Sequence, residues 1–370
     1  MAMDFISRFL KDVRKMRMEQ SKMANMTAEK TDLKSLSLQE LTVYLDEIGE
    51  RPFRAKQIFE WLHKKQVSGF DEMTNLSKEL RHRLQETCQI PVLKIVEAQV
   101  SKRDGTRKYL FALPDGNVIE SVWMKYKHGN SVCISSQVGC RMGCSFCAST
   151  IGGLVRGLHP SEMLEQIYRI GLDTGERVSN VVVMGTGEPL DNYENLLKFI
   201  HLLTDENGLN ISQRNITIST CGIVPAMYAL AEEKLQITLA LSLHAPTQEK
   251  RLKLMPIAAM YELDEVLKAC DYYFTRTGRR VTYEYSLIHG MNDTEQDAEC
   301  LGTLLHGKNC HVNLIPVNPV KERSFLQPDA HTTASFKNKL EKNKINVTIR
   351  REMGRDIDGA CGQLRKKYVK

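Results

Sequence analysis

The sequence predicts an α/β protein: a partial (β/α)6 barrel that follows a small N-terminal helical accessory domain and a β-hairpin linker. Apolar residues first recur at helical spacing, then two strand-like segments flank a turn, and finally short apolar strands alternate with helices. Alternation of this last kind is typical of βαβ units around a parallel sheet, and an open doubly wound sheet is the less favoured alternative. The expected divisions are 1–30 (an N-terminal extension, disordered or helical), 31–91 (helical accessory domain), 92–130 (hairpin linker), 131–350 (barrel) and 351–370 (C-terminal segment).

The composition is that of an ordinary globular chain. Of 370 residues, 42% are hydrophobic and 26% are charged, which excludes a mostly disordered or collagen-like protein. No apolar run approaches the roughly 18 residues that a membrane-spanning helix needs, so no membrane association is expected. Lysine and arginine number 51 against 45 aspartate and glutamate, and the net charge of +6 is only a mild bias toward polyanions.

Ten cysteines narrow the possible functions. The first 25 residues lack the apolar segment of a secretory signal, so a reducing, cytoplasmic location is expected and a disulfide framework is not. In such a chain, clustered cysteines are interpreted first as metal ligands. Five scattered cysteines match no motif and are expected to be structural: Cys88, Cys221, Cys270, Cys300 and Cys310.

Three helices are expected between Asp32 and Gln89. Ser37 and Glu40 have the spacing of a capping box at the start of the first helix. Pro52 restarts the chain before the second helix, and Ser77 begins the third. The basic residues of this unit favour two interpretations, a module that docks folded RNA by its shape or an ordinary solvated helix bundle.

The sequence after this unit has the pattern of β-strands. Lys108–Leu113 and Val118–Trp123 flank a Pro-Asp-Gly-Asn turn and predict a β-hairpin. Further strands are expected at Val132–Ser135, Val181–Met184, Ile216–Thr220, Ile237–Leu243, Val281–Leu287, His311–Ile315 and Val347–Ile349. Helices are expected at Ser161–Gly171, Tyr193–Leu203, Val224–Glu233, Leu263–Thr277, Glu295–Leu305 and Thr332–Asn343. In such a fold, function belongs at the carboxyl ends of the strands.

The strongest chemical signal is Cys140, Cys144 and Cys147, a C-x3-C-x2-C motif just after the first barrel strand. Three neighbouring thiolates suit a 4Fe-4S cluster, because cysteine sulfur is its usual ligand. Three ligands would leave one of the four irons open to a small molecule. Structural zinc is the weaker alternative, since zinc wants four ligands and no fourth Cys or His follows at a suitable local spacing.

Polar residues end several later strands. Met184–Pro189 is a Gly-Thr-Gly-Glu-Pro turn, whose glycines let the backbone approach a neighbour and whose Glu188 can hold a cationic amine. Three more polar sites follow strands in the same way: Ser219, the Ser242-Leu243-His244 segment and Asn318. Singly, each is more often a helix cap or loop residue. Together they would surround one rim of the barrel.

These motifs carry a family resemblance. The cysteine motif after the first strand, with Phe146 beside the last cysteine, resembles the radical S-adenosylmethionine superfamily. Together with Glu120, Cys133 in Cys-Ile-Ser-Ser-Gln, Gly-Thr-Gly-Glu-Pro, Ser-Leu-His-Ala and Asp-Ile-Asp-Gly-Ala-Cys361-Gly-Gln-Leu, the chain resembles the RlmN/Cfr family of RNA adenine methyltransferases. The resemblance runs from about Thr31 to Leu364.

The resemblance implies the cofactors and their ligands. Cys140, Cys144 and Cys147 would hold a 4Fe-4S cluster, and two molecules of S-adenosylmethionine would be used per turnover. Seven residues match the family's S-adenosylmethionine site: Gly187, Glu188, Ser219, Ser242, Leu243, His244 and Asn318.

It also implies three catalytic residues. Cys361 would accept a methyl group from one S-adenosylmethionine, and a radical from the second would take hydrogen from that methyl group so that its carbon adds to adenine. Glu120 would accept the ring proton. Cys133 would then attack the sulfur of Cys361, form a disulfide and release the product.

The family's partners are implied in the same way. The substrates would be an adenosine in the peptidyl-transferase centre of 23S rRNA and the adenosine 3′ to the anticodon in tRNA, methylated at carbon 2. An electron donor such as flavodoxin or ferredoxin and a thiol reductant would be needed, and a monomer is expected. Pro189 after Glu188 favours the RlmN type over a Cfr-type carbon-8 enzyme that confers antibiotic resistance. A non-catalytic iron–sulfur carrier or a zinc-stabilised RNA-binding protein remains the alternative from another class.

Overall fold

The computed structural model describes residues 30–127, 129–318 and 324–357. The predicted N-terminal extension, apart from Lys30, lies outside the described residues. Cys361 and most of the predicted C-terminal segment also lie outside them.

The N-terminal unit contains the three expected helices. Its elements are β1 (Thr31–Asp32), α1 (Leu38–Glu47), α2 (Phe53–His63), α3 (Lys78–Thr87) and β2 (Cys88–Gln89). The capping box of α1 is confirmed, because the Ser37 hydroxyl accepts from the Glu40 N–H and the Glu40 carboxylate accepts from the Ser37 N–H. Ser77 caps α3 through the Leu80 N–H. Since β1 pairs in parallel with β2, the two ends of the unit meet.

Three antiparallel strands follow: β3 (Lys94–Val100), β4 (Arg107–Ala112) and β5 (Val118–Tyr126). The predicted hairpin is confirmed as β4 and β5, which pair from Arg107 opposite Trp123 to Ala112 opposite Val118. Its role is larger than that of a linker. Because β5 also pairs with the first barrel strand, with Val122 opposite Cys133, the hairpin extends the main sheet.

The rest of the chain alternates strands and helices. The strands are β6 (Gly129–Cys133), β7 (Gln137–Gly139), β8 (Leu154–Gly157), β9 (Asn180–Val183), β10 (Ile216–Thr220), β11 (Thr238–Ser242), β12 (Val281–Leu287), β13 (Cys310–Pro316) and β14 (Asn346–Ile349). The helices are α4 (Pro160–Thr174), α5 (Tyr193–Thr204), α6 (Val224–Glu232), α7 (Gln248–Leu254), α8 (Leu263–Thr277), α9 (Glu295–Leu304) and α10 (Ala330–Lys342). In the described ranges, no helix is both long and apolar enough to span a membrane.

The strand order confirms the partial barrel. The main sheet runs β14-β13-β12-β11-β10-β9-β6-β5-β4-β3, and its strands from β6 to β14 are parallel. The order never reverses, whereas a doubly wound sheet turns back on itself at a switch point. All parallel strands therefore present their carboxyl ends to one rim. One large buried apolar cluster extends from Leu41 in α1 through Val181 in β9 to Leu340 in α10.

Two features near this rim were not expected from the sequence. The short strands β7 and β8 form a separate antiparallel pair around the cysteine loop. Their approach requires glycine at position 139, where a Cβ atom would lie 2.0 Å from the Gly153 carbonyl oxygen. Helix α7 has seven residues and begins after Thr247, whose hydroxyl caps it. Elements this short carry too few residues for periodicity to indicate them.

A buried ion pair joins the N-terminal unit to the barrel. The Lys34 Nζ lies 2.5 Å from Glu165 Oε1, and neither side chain has exposed surface. The same ammonium donates to the Pro91 carbonyl at 3.0 Å. The second oxygen of Glu165 accepts from the Leu93 N–H at 3.0 Å and lies 3.1 Å from Arg169 Nε. Both charges are thus compensated inside the interface.

We expect Lys34→Met to lower the free energy of unfolding by about 3 kcal/mol, because removal of one partner leaves the other charge buried. Lys198→Met is the matched control. Lys198 also links the barrel to the N-terminal unit through an ion pair with Glu40, but the side chains of both residues are partly exposed. The free energy of unfolding of this variant should fall by less than about 1 kcal/mol. Urea unfolding of both variants measures the difference. Equal losses would contradict the assignment of the buried pair as the stabilising one.

Candidate active site

Three cysteines surround one cavity at the rim of the barrel. Cys140, Cys144 and Cys147 line a space of about 190 Å³, called here the cysteine cavity, at the carboxyl ends of β9 to β12. Burial, helped by the charges of neighbouring carboxylates and of Cys147, raises the pKa of the Cys140 thiol to about 12. Burial likewise raises the pKa of Cys144, and the nearby cysteines add to the effect. Such thiols ionise at neutral pH only beside a cation, which the irons of a cluster supply.

The cysteine loop is anchored on both sides by its backbone. The Cys140 N–H donates to the Gly153 carbonyl at 3.0 Å, which ties the loop to the β8 side. The Ser145 N–H donates to the Leu254 carbonyl at 2.9 Å, which ties it to the end of α7. The Thr150 hydroxyl donates to the carbonyls of Cys144 and Cys147. The loop is therefore fixed by hydrogen bonds to elements that the fold already positions.

The chemistry of the donor set suits an iron–sulfur cluster. Cys140, Cys144 and Cys147 line one cavity, and cysteine sulfur is the usual ligand of such clusters. His159, the nearest later histidine, precedes Pro160 at the start of α4.

Glu188 is held rigidly between two strand ends. Its carboxylate accepts from the Leu190 N–H at 3.0 Å and from the Cys221 N–H at 2.8 Å. Burial nevertheless raises its pKa. Gly187, at φ +117°, allows this position, because a Cβ atom there would lie 2.7 Å from Gln137 Cβ. The glycines of this turn thus serve the packing of β9 against the chain that follows β6.

Ser219, Ser242 and His244 are brought together in the same cavity. The hydroxyls of Ser219 and Ser242 lie 3.3 Å apart. His244 Nδ1 accepts from the Ser286 N–H at 2.9 Å, so the neutral ring carries its proton on Nε2. Burial lowers the pKa of His244 to about 3. Its imidazole is therefore neutral at physiological pH.

Two predicted residues lie apart from this group. The side chain of Leu243 is buried in the core, and its N–H donates to the Glu284 carbonyl at 3.0 Å. Asn318 is exposed and lines a second cavity.

That second cavity holds the predicted base and one predicted catalytic cysteine. Glu120 and Cys133 line a space of about 520 Å³, called here the Glu120 cavity. Glu120 Oε2 lies 3.1 Å from Lys108 Nζ, and the exposed fractions of the two side chains are 4% and 0%. Burial raises the pKa of the Cys133 thiol, while the charges of Arg350 and Lys108 counteract part of that effect.

The two cavities share a wall. Phe146, Cys147, Met184, Gly185 and Arg350 line both of them. Gly185 permits this contact, since a Cβ atom there would lie 2.7 Å from the Ile134 carbonyl. A group bound at the cysteines and a group bound beside Glu120 would therefore be neighbours.

The described part of the C-terminal segment closes the Glu120 cavity. Met353 and Ile357 line it. The Asp356 carboxylate accepts from the Ser101 hydroxyl at 2.6 Å and from the Lys102 N–H at 2.8 Å. Cys361 lies four residues beyond Ile357, outside the described residues, and four residues span at most about 14 Å.

Several residues at the site were not indicated by the sequence. Cys221, expected to be structural, lines the cysteine cavity. Lys108 is the first residue of the predicted strand Lys108–Leu113. A lysine that is buried in such a strand needs a partner of opposite charge. The remaining ones come from distant elements: Arg251, Glu284 and Arg350.

Comparisons with known proteins agree with this geometry. Residues 31–90 match the ribosomal RNA large subunit methyltransferase N-terminal domain, and residues 134–299 match the radical SAM superfamily. A probable dual-specificity RNA methyltransferase RlmN from Lachnoclostridium phytofermentans is 64% identical over 92% of this chain and 96% of that protein. One from Lachnospira eligens is 63% identical over 92% and 97%. The crystal structure of a radical SAM methyltransferase from Sphaerobacter thermophilus aligns with a TM-score of 0.86 at 42% identity, over 90% of this chain and 98% of that one.

We expect Cys144→Ala to lose most of the iron and sulfide that the wild-type chain binds after anaerobic reconstitution, because one of three ligands is removed. Cys221→Ala is the matched control, since Cys221 is also buried and lines the same cavity. It should retain the full iron and sulfide content. Equal loss in both variants would contradict a three-cysteine site.

Proposed function

This chain belongs to the RlmN family of radical S-adenosylmethionine RNA methyltransferases, and we propose that it methylates carbon 2 of adenosine in 23S rRNA and in tRNA. One observation carries the proposal: the cavity of the three cysteines shares a wall with the cavity of Glu120 and Cys133. An adenine beside Glu120 would lie next to whatever the cysteines hold. The enzyme therefore has one continuous site for cofactor and base.

The cofactor side would be built from the rim residues. Cys140, Cys144 and Cys147 would hold the 4Fe-4S cluster, which with bound S-adenosylmethionine supplies a carbon radical. Glu188 would receive the ammonium of the methionine moiety, because each of its oxygens accepts one backbone N–H and keeps a further lone pair.

The remaining rim residues would bind the rest of S-adenosylmethionine. The paired hydroxyls of Ser219 and Ser242 suit ribose, and His244 can donate from Nε2. Gly187 and Leu243 would contribute through the backbone, and Asn318 from the neighbouring Glu120 cavity.

The base side would carry the methyl transfer. The Cys361 thiolate would attack the methyl carbon of S-adenosylmethionine, and S-adenosylhomocysteine would leave. After the methyl-derived carbon radical has added to adenine and the adduct has given up one electron, Glu120 would accept the ring proton. The Lys108 ammonium, 3.1 Å from Glu120 Oε2, would hold that carboxylate in place at the cavity.

Release of the product would need the second thiol. Cys133 would attack the Cys361 sulfur, so that a disulfide forms as the bond from that sulfur to the product carbon breaks. A thiol reductant would then supply two electrons to restore both cysteines. An electron donor such as flavodoxin or ferredoxin, a monomeric state and a cytoplasmic location complete the proposal.

The test is methylation of tRNA and of a 23S rRNA fragment by anaerobically reconstituted protein with dithionite, followed by nuclease digestion and chromatography. We expect 2-methyladenosine from the wild type and none from Cys361→Ala. Cys133→Ala should accumulate a covalent protein–RNA species, because no thiol resolves it.

Cys310→Ala, a buried cysteine outside both cavities, is the matched control and should methylate normally. The modified nucleoside 8-methyladenosine would favour a Cfr-type enzyme instead. Bound RNA without methylation or cleavage of S-adenosylmethionine would favour a non-catalytic protein.

RNA docking by the N-terminal unit is supported by its surface. Just after α2, the exposed Lys65 ammonium lies 3.3 Å from the centre of the Trp61 ring. At the start of α2, Arg54 lies over the exposed Phe53 ring at 4.9 Å. Lys64, which follows α2, is also exposed. Cations next to aromatic faces suit phosphates and unstacked bases.

We expect the double variant Lys64→Glu/Lys65→Glu to weaken RNA binding and to lower the salt dependence of log affinity by about 1–2, because two phosphate contacts are lost. S-adenosylmethionine cleavage without RNA should not change. The same substitutions at Lys342 and Lys344, exposed lysines of the barrel, serve as the control. An equal effect of both pairs on filter-binding affinity would show that the unit is not the specific docking surface.

A further inference from the structure

Arg251 is a fully buried cation whose surroundings offer little compensation. Its side chain has no exposed surface. Nη2 donates to the Cys221 carbonyl at 2.6 Å and to the Ser242 carbonyl at 3.5 Å. Nε and Nη1 are buried without a hydrogen-bond partner among the described residues. A guanidinium stays protonated in proteins, so this site holds a positive charge with neutral hydrogen-bond partners.

The two carbonyls that accept from Arg251 belong to residues that line the cysteine cavity. Cys221 and Ser242 line that space together with Cys140, Cys144 and Cys147. The buried guanidinium therefore lies one hydrogen bond away from the wall that the three cysteines share.

The fold places Arg251 behind the wall of the cysteine cavity. It lies on α7, whose last residue, Leu254, accepts the hydrogen bond from the Ser145 N–H in the cysteine loop. Its Nη2 lies 3.3 Å from the position of a Cβ atom on Gly222, next to Cys221. Arg251 does not itself line the cavity, so it acts on a bound group from behind Cys221 and Ser242.

The buried Arg251 guanidinium and the buried cysteine thiolates can stabilise each other. An isolated ion inside a protein costs several kcal/mol, even after the surroundings relax. Cysteine thiolates on the cavity wall carry the opposite charge and have the same difficulty. The arrangement becomes favourable only when the thiolates and the cation are present together.

We propose that Arg251 is a positioning residue that serves as the buried counter-cation of the cysteine site. It stabilises the ionised cysteines and the cluster they hold, and it makes that cluster easier to reduce. The inference rests on the part of the proposed function in which the three cysteines hold a cluster. Net charge and nearby donors set the potential of such clusters, and a buried cation favours the form with one more electron.

Arg251→Met is the decisive variant because it keeps much of the volume and removes the charge. Dithionite or titanium(III) citrate would supply one electron per cluster. We expect the equilibrium constant for this reduction to be at least tenfold lower in Arg251→Met than in the wild type. Tenfold corresponds to 59 mV for a one-electron couple. Potentiometric titration followed by electron paramagnetic resonance measures it. Arg251→Lys should recover most of the wild-type value.

Lys253→Met is the matched control. It removes the same charge from the same helix, but the Lys253 side chain is 59% exposed and already paired with Glu249. Because solvent screens this charge, the equilibrium constant for cluster reduction in Lys253→Met should stay within twofold of the wild-type value. An equal shift in Lys253→Met and Arg251→Met would overturn the inference, as would no shift in either.

The cluster-free chain separates charge compensation from simple packing. We expect the melting temperature of cluster-free Arg251→Met to equal or exceed that of the cluster-free wild type, because replacing a poorly compensated buried charge by an apolar side chain is neutral or stabilising. If Arg251 acted only through its hydrogen bonds to two carbonyls, the variant would melt earlier or fail to fold. Either result would overturn the inference. A wild-type chain that binds no cluster would instead refute the proposed function.

Discussion

Thiols buried around a small cavity can be ionised only where positive charge is close, and the architecture of this site follows from that constraint. Burial raises the pKa of both Cys140 and Cys144. An iron–sulfur cluster meets the requirement from inside the cavity, and Arg251 is placed to meet it from behind the wall. The cysteine loop therefore has to be held in a fixed position. Its hydrogen bonds to the Gly153 and Leu254 carbonyls provide that hold.

The fold brings a second chemistry next to the first by extending its sheet. Hairpin strands β4 and β5 continue the parallel barrel strands, and their register sets Val122 opposite Cys133. Lys108 and Glu120 consequently form their buried pair at the edge of the cavity that Cys133 lines. On the other side, Gly185 lets the end of β9 approach Ile134. Glu120, Cys133 and the cysteine cavity thus meet without a long intervening segment of chain.

Much of this could be predicted from the sequence, because the informative signals were local. The capping box at Ser37, the hairpin turn and the alternation of apolar strands with helices all depend on neighbouring residues. The cysteine motif and Glu188 are local in the same sense. The short elements β7, β8 and α7 carried too little periodicity to be seen. Cys221 and Arg251 lacked a local signal, since their importance comes from elements that meet only in three dimensions. Lys108 shows the intermediate case, a charged residue in an apolar strand whose partner lies on the next strand.

In the proposed site, three cysteines hold a cluster with one iron left open for S-adenosylmethionine, although Cys221 and His244 line the same cavity. Electron-nuclear double resonance of the reduced cluster tests this most directly, with S-adenosylmethionine labelled with 15N at its amino group or 17O at its carboxylate. We predict a hyperfine coupling from each label, as expected for direct binding to iron. No coupling from either label, together with a fourth protein ligand in the spectra of the wild type, would contradict the claim.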